Sequence, residues 1–293
     1  MLYTPQPFQY PLPDPPSPLP DFDAVKQMIV EVLDENVKAI GMFIRLAWQC
    51  SSTFRSTDYL GGCNGARIRF SPQTDWPVNV NLEKALIFLQ PIKMQFETSL
   101  SWADLIILAG NTALEKVGGK PLWFCGGRAD ATDGLGSEFL FPKIIGNISE
   151  SLLQLKDYIT IMGLTKIEFA ALYAVGYAVG DSNNCEGLYC RRNSFQGSSS
   201  VSLSLSNIFF QDLLSETWEE YTIPSTGKQM YKAAGKDLLM FGTDLHFRSD
   251  PELLAISQDF EAENDFFLTV VVSAWTKLAN ADRFDGPTGN MCS

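Results

Sequence analysis

Apolar residues recur along most of this chain at the spacing of an amphipathic helix. The first clear stripe, Val25, Met28, Ile29, Val32 and Leu33, starts the pattern after Asp23. Residues 42–54 predict a second helix, in which Arg45, Trp48 and Gln49 stand at i, i+3 and i+4 and share one face. A guanidinium beside an indole needs a partner for its charge, so this face reads as the lining of a pocket or as a surface stack. Residues 81–96 predict a helix kinked at Pro91, and Ser101 with Asp104 reads as a capping-box variant opening an apolar helix that ends near Glu115. Residues 120–137 are turn-rich and predict a loop with short strands, the seam between two lobes. Thr165 and Glu168 cap a helix that puts Phe169, Leu172, Tyr173, Gly176 and Tyr177 on one face. A polar stretch over 181–206 ends in a serine-rich run, and helices resume at 207–214, after Asp250 and Pro251 as N-cap and N1, and over 266–278. Only residues 222–236 look strand-like, so the fold class is mostly α with few short strands.

Residues 1–22 hold eight prolines and cannot form a helix. They predict an extended, polyproline-like arm, and Tyr3, Phe8 and Tyr10 favour its lying along a surface, either its own domain's or that of a protein partner. The remaining residues, 23–293, are 45% hydrophobic over the chain as a whole and long enough for one large domain or two lobes. With 22 Lys+Arg against 34 Asp+Glu the net charge is −12, which disfavours nucleic acid and anionic membranes as partners. No apolar run approaches the roughly 20 residues of a membrane span.

The single histidine, His246, restricts the chemistry further, because any site built on imidazole must use it. Six cysteines, at 50, 63, 125, 185, 190 and 292, are too sparse to define a disulfide scaffold, although Cys185 and Cys190 are spaced to close a small loop. No second Cys/His pair completes a zinc site, so no metal ligands are expected. Asn147-Ile-Ser149 is a glycosylation sequon. The N-terminus shows no charged start followed by an apolar segment, and the compartment stays open between organellar, lumenal and extracellular. GGCNGARIRF lacks the Lys-Ser/Thr ending of a phosphate loop, so its glycines are expected to permit close backbone packing.

In family order, the segments FIRLAW, STFR, GGCNGARIRF, WPVNVNLEKA, PIK, SWADLIILAGNTALE, GGRADA, LLMFGTDL, SDPEL and AWTKLANADRFD resemble the class I haem peroxidases, and above all the catalase-peroxidases. They cover most of residues 24–286. The resemblance implies a two-lobed helical fold with a cleft, a distal lobe over 23–140 and a proximal lobe over 141–285. It implies a distal site at Arg45 and Trp48, but Gln49 stands where the family has its distal histidine. Asn79 matches the asparagine that holds that imidazole and is expected to bond the Gln49 amide, with Arg45 directed into the same cleft. An amide does not titrate, so Gln49 cannot act as the general base.

On the proximal side, Tyr177 replaces the iron-binding histidine, and Asp244 matches the aspartate that accepts the imidazole proton. A Tyr177–Asp244 hydrogen bond is therefore expected, with the phenol kept protonated. Ser199 falls near the family's proximal tryptophan, and Asp181 and Asn183 stand where basic residues approach the haem propionates. His246 reads as a surface or capping residue. The long loop that carries the covalent-adduct tyrosine of catalase-peroxidases is missing, and GGCNGARIRF resembles the haem-free C-terminal copy of the fold in those enzymes. These departures imply a haem-free pseudoperoxidase, a structural or binding subunit docked on a protein partner through its proline-rich arm. The alternative is a haem b protein acting on hydrogen peroxide, with Tyr177 as axial ligand. A binding module holding a small ligand in the vacated pocket is the third reading.

Overall fold

The computed structural model describes residues 12–140, 152–179, 204–224, 227, 229–236, 238–283 and 292. The chain divides into two compact units: Met1–Pro142 with Ile161–Gly163 and Trp275–Ser293, and Lys143–Thr160 with Leu164–Ala274. The second therefore does not run on to residue 285. Trp275 donates its indole N–H to Asn111 Oδ1 at 2.8 Å, and the chain beyond it stays with the first unit.

The first unit is built on α1 (Phe22–Glu35), α2 (Lys38–Ser51), α3 (Glu83–Phe96) and α4 (Trp102–Lys116). Asp21 caps α1 by accepting from the N–H groups of Asp23 and Ala24, and Val25, Ile29 and Leu33 are its buried stripe. α3 carries Pro91 within it. In α4 every residue from Ala103 to Leu114 is buried, so the helix lacks a polar face. Burial of each Leu or Ile in it contributes about 1.5–3 kcal/mol. Gly110 lets α2 approach α4 closely, because a Cβ there would lie 2.3 Å from Ala47 Cβ. The described part of the arm lies on this same unit: a Cβ on Gly65 would come within 3.0 Å of Leu12, and Phe22 stacks edge-on against Phe124 at 4.9 Å. Tyr3, Phe8 and Tyr10 lie outside the described residues. Residues 120–137 hold no strand, only a parallel bridge between Gly65 and Asp130.

The second unit contains α5 (Leu152–Ile161), α6 (Lys166–Val179), α7 (Ile208–Ser215), α8 (His246–Ser249), α9 (Pro251–Ala262) and most of α10 (Asn264–Ala279). Thr165 and Glu168 form a reciprocal capping box: the Thr165 N–H reaches Glu168 Oε2 at 2.7 Å and the Glu168 N–H reaches Thr165 Oγ1 at 3.3 Å. Asp250 caps α9 through the Leu253 N–H, with Pro251 in the first turn, and also pairs with Lys156 at 2.7 Å. Strands β1 (Trp218–Thr222), β2 (Gln229–Ala233) and β3 (Leu239–Met240) form an antiparallel sheet in that order, over Met230, Leu239 and Phe241. The sheet starts earlier and ends later than the 222–236 expected. No single described helix is long and apolar enough to cross a membrane. The polar stretch over 181–203, Cys185, Cys190, Asp181, Asn183, Ser199 and the Asn147 sequon lie outside the described residues.

Candidate functional site

On α2, Arg45 and Trp48 are half-buried and Gln49 is buried. The Arg45 guanidinium donates to the Val78 carbonyl at 2.6 Å. That carbonyl is presented by the short 3-10 turn Pro77–Asn79. The expected Gln49–Asn79 bond does not form. Asn79 Nδ2 donates instead to the Gln73 carbonyl at 2.8 Å, and Asn79 Oδ1 is buried with no hydrogen-bond partner. The physical reason is local. Tight turns over 73–79 bring the Gln73 carbonyl, which also accepts the Trp76 N–H at 3.2 Å, within reach of the Asn79 amide.

The second group stands on α6, where Tyr173 and Tyr177 are one turn apart. Tyr177 is 4% exposed and its O–H donates to Asp212 Oδ2 on α7 at 2.7 Å, not to Asp244 as expected. Asp244 is fully buried and takes its phenol from Tyr173, at 2.5 Å; it also accepts the Phe241 N–H at 2.8 Å. Tyr173 and Tyr177 both meet the edge of Phe209, at 5.8 and 5.4 Å, and Tyr173 leans on Phe247 at 4.8 Å. Two phenol–carboxylate pairs set in an aromatic core thus replace the single pair expected. Tyr173 already belonged to the stripe that names Tyr177, and Asp212 is the one acid in α7; those were the signals available in the sequence.

The peroxidase-like motifs converge in the first unit on a buried ionic cluster. Arg128 of GGRADA is 0% exposed and donates from Nη1 to Asp104 Oδ1 at 3.1 Å and the Cys125 carbonyl at 2.6 Å. From Nη2 it donates to the Ala279 carbonyl at 2.7 Å and to Asn280 Oδ1 at 3.0 Å. Asp104 of SWADL also accepts the N–H groups of Gly127 and Arg128, so it does more than open α4. Burial pushes its carboxyl above the usual range, and the Arg128 charge and these N–H donors pull it back. Asp282 of NADRFD accepts the Asn64 N–H of GGCNGARIRF at 2.6 Å, and Arg283 donates to the carbonyls of Gly127 and Gly126. Asp130 accepts the first-turn N–H groups of α4 from Trp102 and Ala103. These residues tie four separate segments together; they are latches of the fold. Beside them lies a cavity of about 130 Å³ lined by Tyr59, Asn64, Arg67, Gln73 and Asp282 among others, with none of Arg45, Trp48 or Gln49 in its wall.

Helical units, an Arg–x–x–Trp face on α2 and this latch define a haem-peroxidase fold, and the peroxidase family model matches residues 25–263: the chain belongs to the peroxidase family. Within it the relationship is to the class I enzymes. The chain is 32% identical to the catalase-peroxidase of Mycosarcoma maydis, over 94% of this chain and 40% of that protein. It is 30% identical to that of Rhizobium etli (strain CIAT 652), over 84% and 45%, and 28% to that of Nocardia farcinica (strain IFM 10152), over 84% and 44%. The chain spans less than half the length of these curated relatives.

Gln49 offers an amide that neither titrates nor replaces an imidazole base. Tyr177 offers a phenol that already donates to a carboxylate, and the acceptor expected behind it, Asp244, is taken by Tyr173.

Proposed function

We propose that this chain is a pseudoperoxidase, a peroxidase fold serving as a structural or binding subunit without haem and without turnover. The observation that carries this reading is the Tyr177–Asp212 hydrogen bond of 2.7 Å. Tyrosine binds iron as phenolate. A phenolate that close to a carboxylate meets a repulsion of about 6 kcal/mol at an effective dielectric of about 20, before solvent screening at the half-buried Asp212. The missing distal base points the same way. A general base is worth roughly 10²–10⁴-fold in rate, and Gln49 cannot supply it. The proline-rich arm is the proposed contact to a protein partner, through the part that precedes Leu12.

The competing reading, haem b held by Tyr177 with Arg45 and Trp48 above it, requires the phenol proton to leave. Titration with haemin separates the two. The wild-type protein should give only non-saturating, weak absorbance changes, and Tyr177→His alone should do little better, because Tyr173 still occupies Asp244. The double variant Tyr173→Phe/Tyr177→His, which frees Asp244 to accept an imidazole N–H, should be the first to show a saturable, histidine-type haem spectrum. Saturable one-to-one binding by the wild type, lost in Tyr177→Phe, would establish the competing reading.

A further inference from the structure

The cavity of about 130 Å³ lies wholly within the first unit and takes no residue from the Arg45–Gln49 face. Gln73, in the short 3-10 turn Gln73–Asp75, is 3% exposed and donates from Nε2 to Ser137 Oγ at 3.0 Å, while its Oε1 is buried with no hydrogen-bond partner. A buried acceptor left dry is costly, so this one points to a donor supplied from outside the chain. Asp282 enters the same wall because Gly62 leaves it room: a Cβ on Gly62 would lie 2.4 Å from Asp282 Cβ. Its Oδ2 accepts the Asn64 N–H at 2.6 Å, whereas Oδ1 is buried, makes no hydrogen bond and faces Arg128 Nε at 3.6 Å. Arg67 brings a half-buried guanidinium to the wall over Gly65, where a Cβ would lie 2.8 Å from its Nη1. Leu60, Leu135, Leu140 and Tyr59 supply an apolar side.

We propose that this cavity binds a small neutral polyol, a ring of about six atoms with hydroxyls on neighbouring carbons. The volume is close to the roughly 150 Å³ of a cavity that takes one benzene ring. The unmet atoms of the wall are acceptors, and an anion brings only further acceptors and meets the Asp282 carboxylate. An organic ammonium brings donors but meets the Arg67 charge, and Asp282 already faces Arg128. A hydroxyl donates and accepts at once, so one group gives its proton to Gln73 Oε1 while a neighbour accepts from Arg67. Turning the Gln73 amide round changes nothing in this: the Ser137 hydroxyl would then donate to Oε1, and the unmet atom would be Nε2, which a ligand hydroxyl accepts equally well. The C–H faces of the ring lie against the leucines and the Tyr59 ring. Tyr59 and Leu135 are 46% and 59% exposed, which opens the cavity to solvent, so a ligand exchanges without unfolding the unit.

The test uses myo-inositol and D-glucose as probes on the full-length protein without haemin, with saturation-transfer difference NMR to detect binding and calorimetric titration to measure it. Saturable one-to-one binding of at least one probe is expected, with a Kd on the order of 1 mM or below. Acetate and methylammonium at the same concentrations should give no saturable signal. Gln73→Leu, which keeps the volume and removes the acceptor, should weaken the polyol roughly tenfold or more, and Arg67→Met roughly threefold or more, with the helical circular dichroism unchanged in both. Failure of both probes to bind overturns the proposal, as does wild-type affinity in Gln73→Leu, or acetate or methylammonium binding as tightly as the polyol. If Gln73→Leu fails to fold, Arg67→Met decides, and unchanged affinity in it overturns the proposal.

Discussion

Replacing Arg128 by methionine tests whether the retained motifs are latches. The guanidinium makes four hydrogen bonds, to Asp104, Cys125, Ala279 and Asn280, from a fully buried position. Methionine keeps most of the volume, so the cavity contribution is small. What remains is the buried Asp104 carboxylate without its cation, the Cys125 and Ala279 carbonyls and Asn280 Oδ1 without this donor, and Asp282 without the guanidinium 3.6 Å away. Breaking one side of a buried pair costs about 3–5 kcal/mol. Two features moderate this: Asp104 keeps the N–H groups of Gly127 and Arg128, and burial already favours its protonated form. We expect a loss of about 3–4 kcal/mol, or roughly 6–8 °C in the melting midpoint for a chain of this size. Denaturant unfolding followed by circular dichroism, on Arg128→Met, Asp104→Asn and the pair, measures it. The double variant should fall short of the sum by about 1–3 kcal/mol, the coupling of contacting partners. A single variant within about 1 kcal/mol of wild type, or strict additivity, would refute the latch.

The two tyrosines should differ in the cost of losing their hydroxyls. Tyr173→Phe removes a donor from the fully buried Asp244 and should cost about 1.5–3 kcal/mol, whereas Tyr177→Phe leaves the half-buried Asp212 and should cost about 1 kcal/mol; the reverse order in equilibrium unfolding would count against the assigned pairs. Asp250 is held below the usual carboxylate range, mainly by its hydrogen bond from Lys156. The stability from this pairing is present above the ordinary carboxylate pKa of about 4 and is lost as pH falls through the depressed folded value. Asp250→Asn keeps an oxygen for the Leu253 N–H but not the charge, so its stability should fall less steeply than wild type on acidification; parallel curves would contradict the pairing.

Local chemistry made much of the fold legible. Thr165 and Glu168, or Asp250 before Pro251, announce helix starts through bonds that span three residues, and the sequence displays such bonds directly. The stripe on α1 shows equally well, because a helix period needs no knowledge of what covers it. Long-range choices were not legible. Tyr177 was paired with Asp244 by family position, and spacing along the chain cannot tell that the packing of α7 delivers the Asp212 carboxylate instead. Asn79 was assigned to Gln49 by family position, whereas the turn over 73–79 claims its amide for a backbone carbonyl. Asp104 looked like half of a capping box, since its partner Arg128 lies 24 residues away and becomes a neighbour only when the chain end packs beside both. The Cys125–Cys292 disulfide was hidden for the same reason.

The state of the Tyr177 position in the native protein decides whether the chain can hold haem. Its most direct test is the ultraviolet–visible spectrum and pyridine haemochrome assay of the full-length protein, purified from its native source without added haemin. We predict no Soret band and a haem content far below stoichiometric. One haem per chain, with a tyrosinate-type spectrum that disappears in Tyr177→Phe, would contradict it.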